Sequence, residues 1–231
     1  MGVILFYAGI LVGMVTFIFM NWAYLEASLY FGYTAPADKS LTNLRCPLML
    51  TKAENGEVTM SITNSTTHDL SIMIRTEFSY YGAATLDQTS YPVAAGATRN
   101  LSWTVTPDNL VFGHLIMARV YEYKAYTLPS RTNTCGTVVV GLPGLTGIQL
   151  FIIVLTFSLG GMAAGWILWI AGNRPIHGEG IIATRAMTFF TIVVVLGFFG
   201  GIIGWWILGL ICASAGVLLI ITVVGYYVQK P

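Results

Sequence analysis

Apolar residues are concentrated at the two ends of this chain, and charged residues are concentrated between them. Residues 1–25 and 186–229 contain no charged side chain. Nine of the ten acidic residues and eight of the eleven basic residues lie between Glu26 and Arg131. The chain is therefore a polar segment framed by two apolar segments.

Four apolar stretches predict four membrane-spanning helices. A helix needs roughly 20 apolar residues to cross a hydrocarbon core about 30 Å thick. Residues 181–228 are too many for one span at about 1.5 Å per residue, and Gly200 and Gly201 permit a tight turn that divides them. Trp205 and Trp206 then fit the interface between membrane and water. The predicted helices cover residues 1–23, 147–172, 184–201 and 204–228.

The basic residues beside these helices predict their orientation, since cytoplasmic loops collect Lys and Arg. Arg174 lies in the predicted loop 173–183, Arg185 is the second residue of the helix that follows it, and Lys230 follows the last helix. If these residues are cytoplasmic, both termini are cytoplasmic and residues 24–146 lie outside. The first helix has no charged segment before it and no clear cleavage site after it, so we expect a retained anchor rather than a cleaved signal peptide.

Between the first two predicted helices, apolar and polar residues alternate in short runs. Val58, Met60 and Ile62 alternate with threonine and serine, which is typical of strands that bury one face. Evenly spaced short strands predict an all-β sandwich over residues 46–140, after a linker at 24–45. The predicted strands lie near residues 44–50, 57–63, 69–78, 98–105, 114–124 and 135–140.

Two stretches of this insert, VTMSITNSTTHDLSIMI and YPVAAGATRNLSWTV, resemble bacterial immunoglobulin-like domains of the CARDB and NEW3 type. In those domains one strand ends in an Asn-led turn, and a later Pro/Ala-Gly-x-Thr turn leads into a strand with an inward aromatic residue. The matching residues here are Asn64, Gly96, Thr98 and Trp103. Such domains serve in surface adhesion and as structural spacers, so the resemblance implies an Ig-like fold more than a function.

The resemblance also implies a partner for Cys135. In an Ig-like topology the terminal strands often lie side by side, and Cys46 and Cys135 begin the first and last predicted strands. A disulfide between them would stabilise the domain by about 4–5 kcal/mol in the chain-entropy model, and disulfides persist outside the cytosol. The alternative is two separate buried thiols. Cys212, in the last predicted helix, is expected to be a small packing residue.

Composition excludes some classes of function. The chain is 55% hydrophobic and 9% charged, against about a quarter charged in soluble domains. A net charge of +1 without clustered Lys and Arg argues against a nucleic-acid partner. The three histidines lack zinc-type spacing, and the common hydrolase and phosphate-binding motifs are missing. We therefore expect no catalytic residue, no cofactor and no metal.

Two groups of residues are candidate contact surfaces. Small residues four apart let helices approach closely, either within this chain or with a membrane partner. Tyrosines favour binding surfaces, because one end of the side chain is apolar and the other polar, but they are equally at home on any sheet. The predicted packing glycines are Gly9, Gly13, Gly161, Gly165, Gly197 and Gly201, and the predicted partner surface is Tyr80, Tyr81, Tyr121 and Tyr123.

These patterns predict a non-enzymatic accessory or interaction subunit at the cell envelope, which contacts the lipid bilayer and a membrane or envelope protein. The alternative is a small transporter, channel or lipid-handling subunit with a path between the helices. The near-absence of ionisable residues within the helices lowers the odds of a pump, but a carrier of apolar molecules does not need them. A membrane-embedded enzyme is a third, more distant alternative.

Overall fold

The computed structural model describes residues 2–32, 37–81, 83–175 and 177–228. In chain order, its helices are α1 (Gly2–Phe31), α2 (Gly147–Gly172), α3 (Glu179–Ile203) and α4 (Trp206–Val228). The strands, all between α1 and α2 in the sequence, are β1 (Lys39–Ser40), β2 (Met49–Thr51), β3 (Gly56–Thr63), β4 (Leu70–Tyr80), β5 (Ala83–Val93), β6 (Thr98–Val105), β7 (Leu110–Val111), β8 (Leu115–Glu122) and β9 (Arg131–Val140).

The predicted number of long apolar helices is confirmed for the part of the chain that the structure describes. All four helices are long and apolar enough to cross a membrane. The turn between α3 and α4 is formed by Gly204, whose φ of 81° is in the left-handed region that glycine adopts without strain. Gly200 and Gly201, which were expected to form this turn, remain helical. Lys230 lies outside the described residues.

The prediction of a linker over residues 24–45 is wrong for its first part, because α1 continues to Phe31. Ala23, Ala27 and Phe31 are all at most 6% exposed and pack against the strands. The extra helical turns are therefore stabilised by burial, which the apolar length alone does not reveal. Residues 33–36 of the predicted linker lie outside the described part.

The chain divides into two compact units. The helical unit takes the residues up to Trp22 and those from Gln149 onward, and the β unit takes Ala23–Ile148. Helix α1 therefore contributes its first turns to one unit and its last turns to the other.

The β unit contains two sheets. The larger has the order β1-β9-β8-β4-β5, with β2 also pairing with β9 and β7 with β8, and the smaller pairs β3 with β6. Both β1 and β2 run parallel to β9, so the first and last strands lie side by side. Two sheets are what a sandwich requires, and the sandwich packing itself stays a prediction.

The alternation of apolar and polar residues predicted the bounds of the central strands correctly, but not those of the peripheral strands. β3, β4, β6 and β8 begin and end within about two residues of their predicted bounds. The strand predicted at 44–50 is reduced to Met49–Thr51, because Pro47 lacks an N–H group and Arg45 pairs with Thr59 of β3 instead. β5 was missed, since residues 84–90 are all exposed and carry no alternation.

The end of α1 covers one face of the larger sheet. Its buried residues form a cluster with strand residues, and the members are Ala23, Ala27, Phe31, Val111, Leu115, Met117 and Val138. Gly136 of β9 lies directly beneath this helix, so that an added Cβ would collide with the carbonyl oxygen of Ala23. Ser28 and Thr134 add a hydroxyl–hydroxyl hydrogen bond of 3.1 Å.

Candidate interaction surfaces

The structure joins Cys46 and Cys135 by a disulfide, with their Cα atoms 6.0 Å apart. The position of Cys135 differs from the prediction: it lies in the middle of β9 rather than at its start, and it is 1% exposed. Cys46 precedes β2, which pairs with β9. The bridge therefore ties the segment that enters the sheet to the last strand.

Four of the predicted glycines lie where α1 and α2 approach each other. A Cβ on Gly9 would be 2.7 Å from the carbonyl oxygen of Ser158, and one on Gly165 would be 2.5 Å from the amide nitrogen of Phe6. Gly161 lies at ordinary contact distance from α1, and Gly13 lies against the Ser158 hydroxyl. That hydroxyl donates a 2.9 Å hydrogen bond to the carbonyl oxygen of Gly9.

The other two predicted glycines lie where α3 approaches α1. A Cβ on Gly197 would be 2.7 Å from the ring of Phe17, and one on Gly201 would be 3.2 Å from the Cβ of Met20. All six glycines therefore serve packing inside the helical unit. They do not offer the small-residue face that a partner helix would need.

Asn21 completes this packing and was missed by the sequence analysis. It is 2% exposed, and its Nδ2 donates hydrogen bonds of 2.7 Å to the carbonyl oxygen of Phe17 and 3.2 Å to that of Gly197. Gly209 of α4 leaves room for the amide, which a Cβ there would strike. A polar residue near the end of an apolar run was the available signal, because such residues hydrogen bond between helices.

The structure separates the four predicted tyrosines into two places. Tyr80 is 46% exposed and Tyr81 is 89% exposed, at the turn between β4 and β5. Tyr121 and Tyr123 are half-buried, and their rings contact edge to face with centroids 4.8 Å apart. Strand register places Arg75 opposite Tyr121, so Tyr80, five residues along β4, lies at a distance of about 17 Å and points to the other face.

Tyr121 and Tyr123 border a small charged depression. Together with Arg75 and Arg119 they line a volume of about 110 Å³. Glu77, although 4% exposed, forms ion pairs with both arginines. A buried carboxylate is tolerated where charged hydrogen-bond partners satisfy it, which explains how Glu77 can be buried.

Arg75 and Arg119 each have a second role in this network. Burial lowers the pKa of Arg75, but hydrogen bonds with Tyr123 and Glu77 raise it, and the net shift is upward. Arg119 donates a 2.8 Å hydrogen bond to the carbonyl oxygen of Phe31, at the C-terminal end of α1. A cation is favourable there, since the helix dipole places partial negative charge at that end.

β5 is an open edge of the larger sheet. It pairs only with β4 among the described strands. Residues 84–90 are all exposed, and Asp87 is the one charged residue among them; the stretch contains no Lys or Pro, the residues that most commonly protect an edge from pairing with another strand. Pro92, near the end of the strand, leaves this stretch of backbone open.

The open edge adjoins the charged depression. Strand register places Leu86 beside Glu77 and Gln88 beside Arg75, and paired residues of neighbouring strands share a face. Leu86 is 56% exposed. We call this surface the arginine–tyrosine face, formed by Met73, Arg75, Leu86, Gln88, Tyr121 and Tyr123. It combines apolar, aromatic and cationic side chains next to unpaired backbone.

Among the described residues, no group of three or more His, Cys, Asp and Glu side chains is placed to hold a metal ion. Glu122 is a buried carboxyl on the opposite face of β8. Desolvation raises its pKa, and the charge of Arg131 lowers it by a smaller amount.

No family model matches this chain, and no curated protein matches it. Several solved structures do. One is the CARDB domain of a Pyrococcus furiosus protein in complex with di-metal ions, at 12% identity and a TM-score of 0.33, covering 42% of this chain and 84% of that one. CARDB is the type of domain that the insert resembles.

Two further matches are a β-glucosidase from Listeria innocua and the C-terminal domain of wzt. The β-glucosidase is 15% identical with a TM-score of 0.32, and the match covers 42% of this chain but only 15% of that one. The wzt domain is 10% identical with a TM-score of 0.30, covering 43% of this chain and 71% of that one. Likenesses this low transfer neither a fold nor a function to this chain.

Proposed function

We propose that this protein is a non-enzymatic accessory or interaction subunit of a cell membrane, and that it presents the β unit outside the cytoplasm to a membrane or envelope protein. The observation that carries the proposal is the open edge of β5 beside the arginine–tyrosine face. Tyrosine and arginine are enriched among residues that dominate binding energy, and an exposed edge accepts an added strand through main-chain hydrogen bonds.

Two observations support the proposed location. The Cys46–Cys135 disulfide is a bond that persists in oxidising compartments. Arg174 lies in the loop between α2 and α3 and Arg185 lies near the start of α3, and basic residues at these positions favour a cytoplasmic loop. With four membrane-spanning helices, that assignment leaves residues 24–146 outside.

The proposal is tested by purifying the tagged full chain from its native membrane in mild detergent and quantifying the co-purifying proteins by mass spectrometry. The double variant Leu86→Lys/Ser90→Lys places two cations on the open edge, where they oppose strand addition. Thr67→Lys, at an exposed turn, is the matched control.

We expect a companion present in stoichiometric amount with the wild type and with Thr67→Lys, and reduced at least tenfold with the double variant, since losing a hot-spot contact costs about 1.4 kcal/mol or more. A chain that purifies alone, or a companion retained equally by every variant, contradicts the role assigned to this edge.

A further inference from the structure

Helix α1 has two chemically different faces within the helical unit. One face carries Gly9 and Gly13 and packs against Ser158 of α2. The other carries Val3, Tyr7, Leu11 and Val15, spaced four residues apart and 38%, 40%, 66% and 48% exposed. Residues at this spacing lie on the same side of a helix, so bulky apolar side chains form an open stripe along α1.

This stripe lines an apolar groove between α1, α3 and α4. The groove has a volume of about 710 Å³, and its walls include Met14 and Ile18 of α1, Phe190 of α3 and Ile220 of α4. A second cavity of about 330 Å³ shares Val3, Tyr7 and Val223 with the first. The two cavities are therefore adjacent at the end of the bundle where α1 begins.

The second cavity is lined mainly by apolar residues, and Arg185 is the one charged residue among its described lining side chains. The second cavity is lined by Trp169 of α2, Arg185 of α3 and Thr222 of α4. Arg185 is exposed, and no ion pair between it and a described carboxylate is present. Trp169 is the kind of residue that sits at headgroup level in a membrane, and a guanidinium binds phosphate through two parallel hydrogen bonds.

We propose that the groove binds one anionic phospholipid, with an acyl chain along the α1 stripe and the phosphate beside Arg185. Val3 to Ile18 extends about 22 Å along the helix, longer than the roughly 15 Å half-thickness of a bilayer core, so a full acyl chain fits. A partner helix fits poorly, because close helix packing uses small residues and the 710 Å³ groove is lined by none.

The test is native mass spectrometry of the detergent-purified full chain, titrated with dioleoyl phosphatidylglycerol or dioleoyl phosphatidylcholine. We expect one phosphatidylglycerol to bind at least tenfold more tightly than phosphatidylcholine. Arg185→Gln removes this preference, whereas Arg174→Gln, an exposed arginine that lines neither cavity, retains it. Both variants remove one positive charge, so a difference in lipid binding between them reports the position of the arginine and not the net charge.

A second pair of variants tests the acyl chain. Leu11→Trp fills the groove and is expected to weaken the binding of both lipids at least tenfold, whereas Leu218→Trp, at a 64% exposed site of α4 outside the groove, leaves binding unchanged. Equal binding of the two lipids, equal effects of the two arginine variants, or no effect of Leu11→Trp overturns the proposal. So does protection of a Leu11→Cys thiol by a co-purified polypeptide instead of by lipid. None of these readouts depends on the partner proposed for the β unit.

Discussion

Asn64 is completely buried, and both the nitrogen and the oxygen of its side-chain amide form hydrogen bonds. Its Nδ2 donates to the carbonyl oxygens of His68, Val93 and Ala94 at 2.8–3.2 Å, and its Oδ1 accepts from the amide and hydroxyl of Thr66. This one residue therefore satisfies the backbone of two turns, the one after β3 and the one after β5.

Replacing Asn64 by alanine leaves several buried carbonyl and amide groups without a partner. Each such group costs roughly 1–3 kcal/mol, so we expect Asn64→Ala to lower the free energy of unfolding of the β unit by about 3 kcal/mol. Hydrogen–deuterium exchange of the β3 and β4 amides measures this as faster local opening. Asn100→Ala, at an exposed position of β6, is the control and should change exchange little.

Glu122 makes the stability of the β unit depend on pH. Because burial raises its pKa above the ordinary value of 4.5, the folded state binds the proton more tightly than the unfolded state does. Stability therefore falls as pH rises above about 4.5. We expect Glu122→Gln to raise the melting temperature near pH 7 and to flatten this dependence, measured by circular dichroism. Glu57→Gln, at an exposed site of β3, should leave the slope unchanged, and an unchanged slope in Glu122→Gln contradicts the assignment.

Asp38 has the opposite effect on the pH dependence of stability, and it has this effect at lower pH. The amide and hydroxyl of Ser130 donate to its carboxylate, at 3.0 Å each, and hold its pKa below 3.8. Its contribution is present above that value and is lost as pH falls through the lowered pKa. The two carboxyls therefore affect the stability of the β unit over different pH ranges. Above pH 4.5 the contribution of Asp38 is constant and does not interfere with the Glu122 test.

The last turns of α1 belong to the β unit, and Gly136 of β9 lies directly beneath them. We expect Gly136→Ala to destabilise the β unit by about 1–3 kcal/mol, since the new methyl group overlaps the carbonyl oxygen of Ala23 and the helix end must shift. Thermal unfolding measures the change. Gly141→Ala is the control, because its methyl group would meet only the side chain of Lys52 at 3.5 Å.

In the helical unit, two glycine substitutions form a similar pair of test and control. Gly9→Val should push α1 away from α2, since even a Cβ there lies 2.7 Å from a backbone oxygen. Gly160→Val, with nothing within 4 Å, should be tolerated. We expect the first variant alone to lower the detergent-phase melting temperature of the chain, and equal melting temperatures would show that this helix crossing does not limit stability.

The sequence predicted those helices and strands in which apolar side chains recur at regular positions along the chain. Val58, Met60 and Ile62 alternate because one face of β3 is buried, and each of the four long helices contains an apolar stretch long enough to cross a membrane. β5 has almost no buried side chain, so its pairing comes from the backbone and leaves no pattern in the residues. The arginine–tyrosine face was half predicted: Tyr121 and Tyr123 were chosen by residue type, but their joining to Arg75 depends on strand register, which one sequence does not specify.

Two helix ends inside the β unit contact charged side chains of opposite sign. The Arg119 guanidinium donates a hydrogen bond to the carbonyl oxygen of Phe31, the last residue of α1. The Glu54 carboxylate accepts a 2.7 Å hydrogen bond from the amide of Gly147, the first residue of α2. Both signs match the dipoles of the helices they hold. Both contacts lie within the β unit, which includes the last turns of α1 and the first residues of α2.

The central claim is that the open edge of β5 contacts a partner in the native membrane. The most direct measurement is photo-crosslinking in intact cells, with a photoreactive amino acid placed at Gln88 of β5 or, as the control, at Thr67 in the turn after β3. We predict a discrete crosslinked protein from position 88 that is missing from position 67. No adduct at either position, or the same adducts at both, would contradict the account.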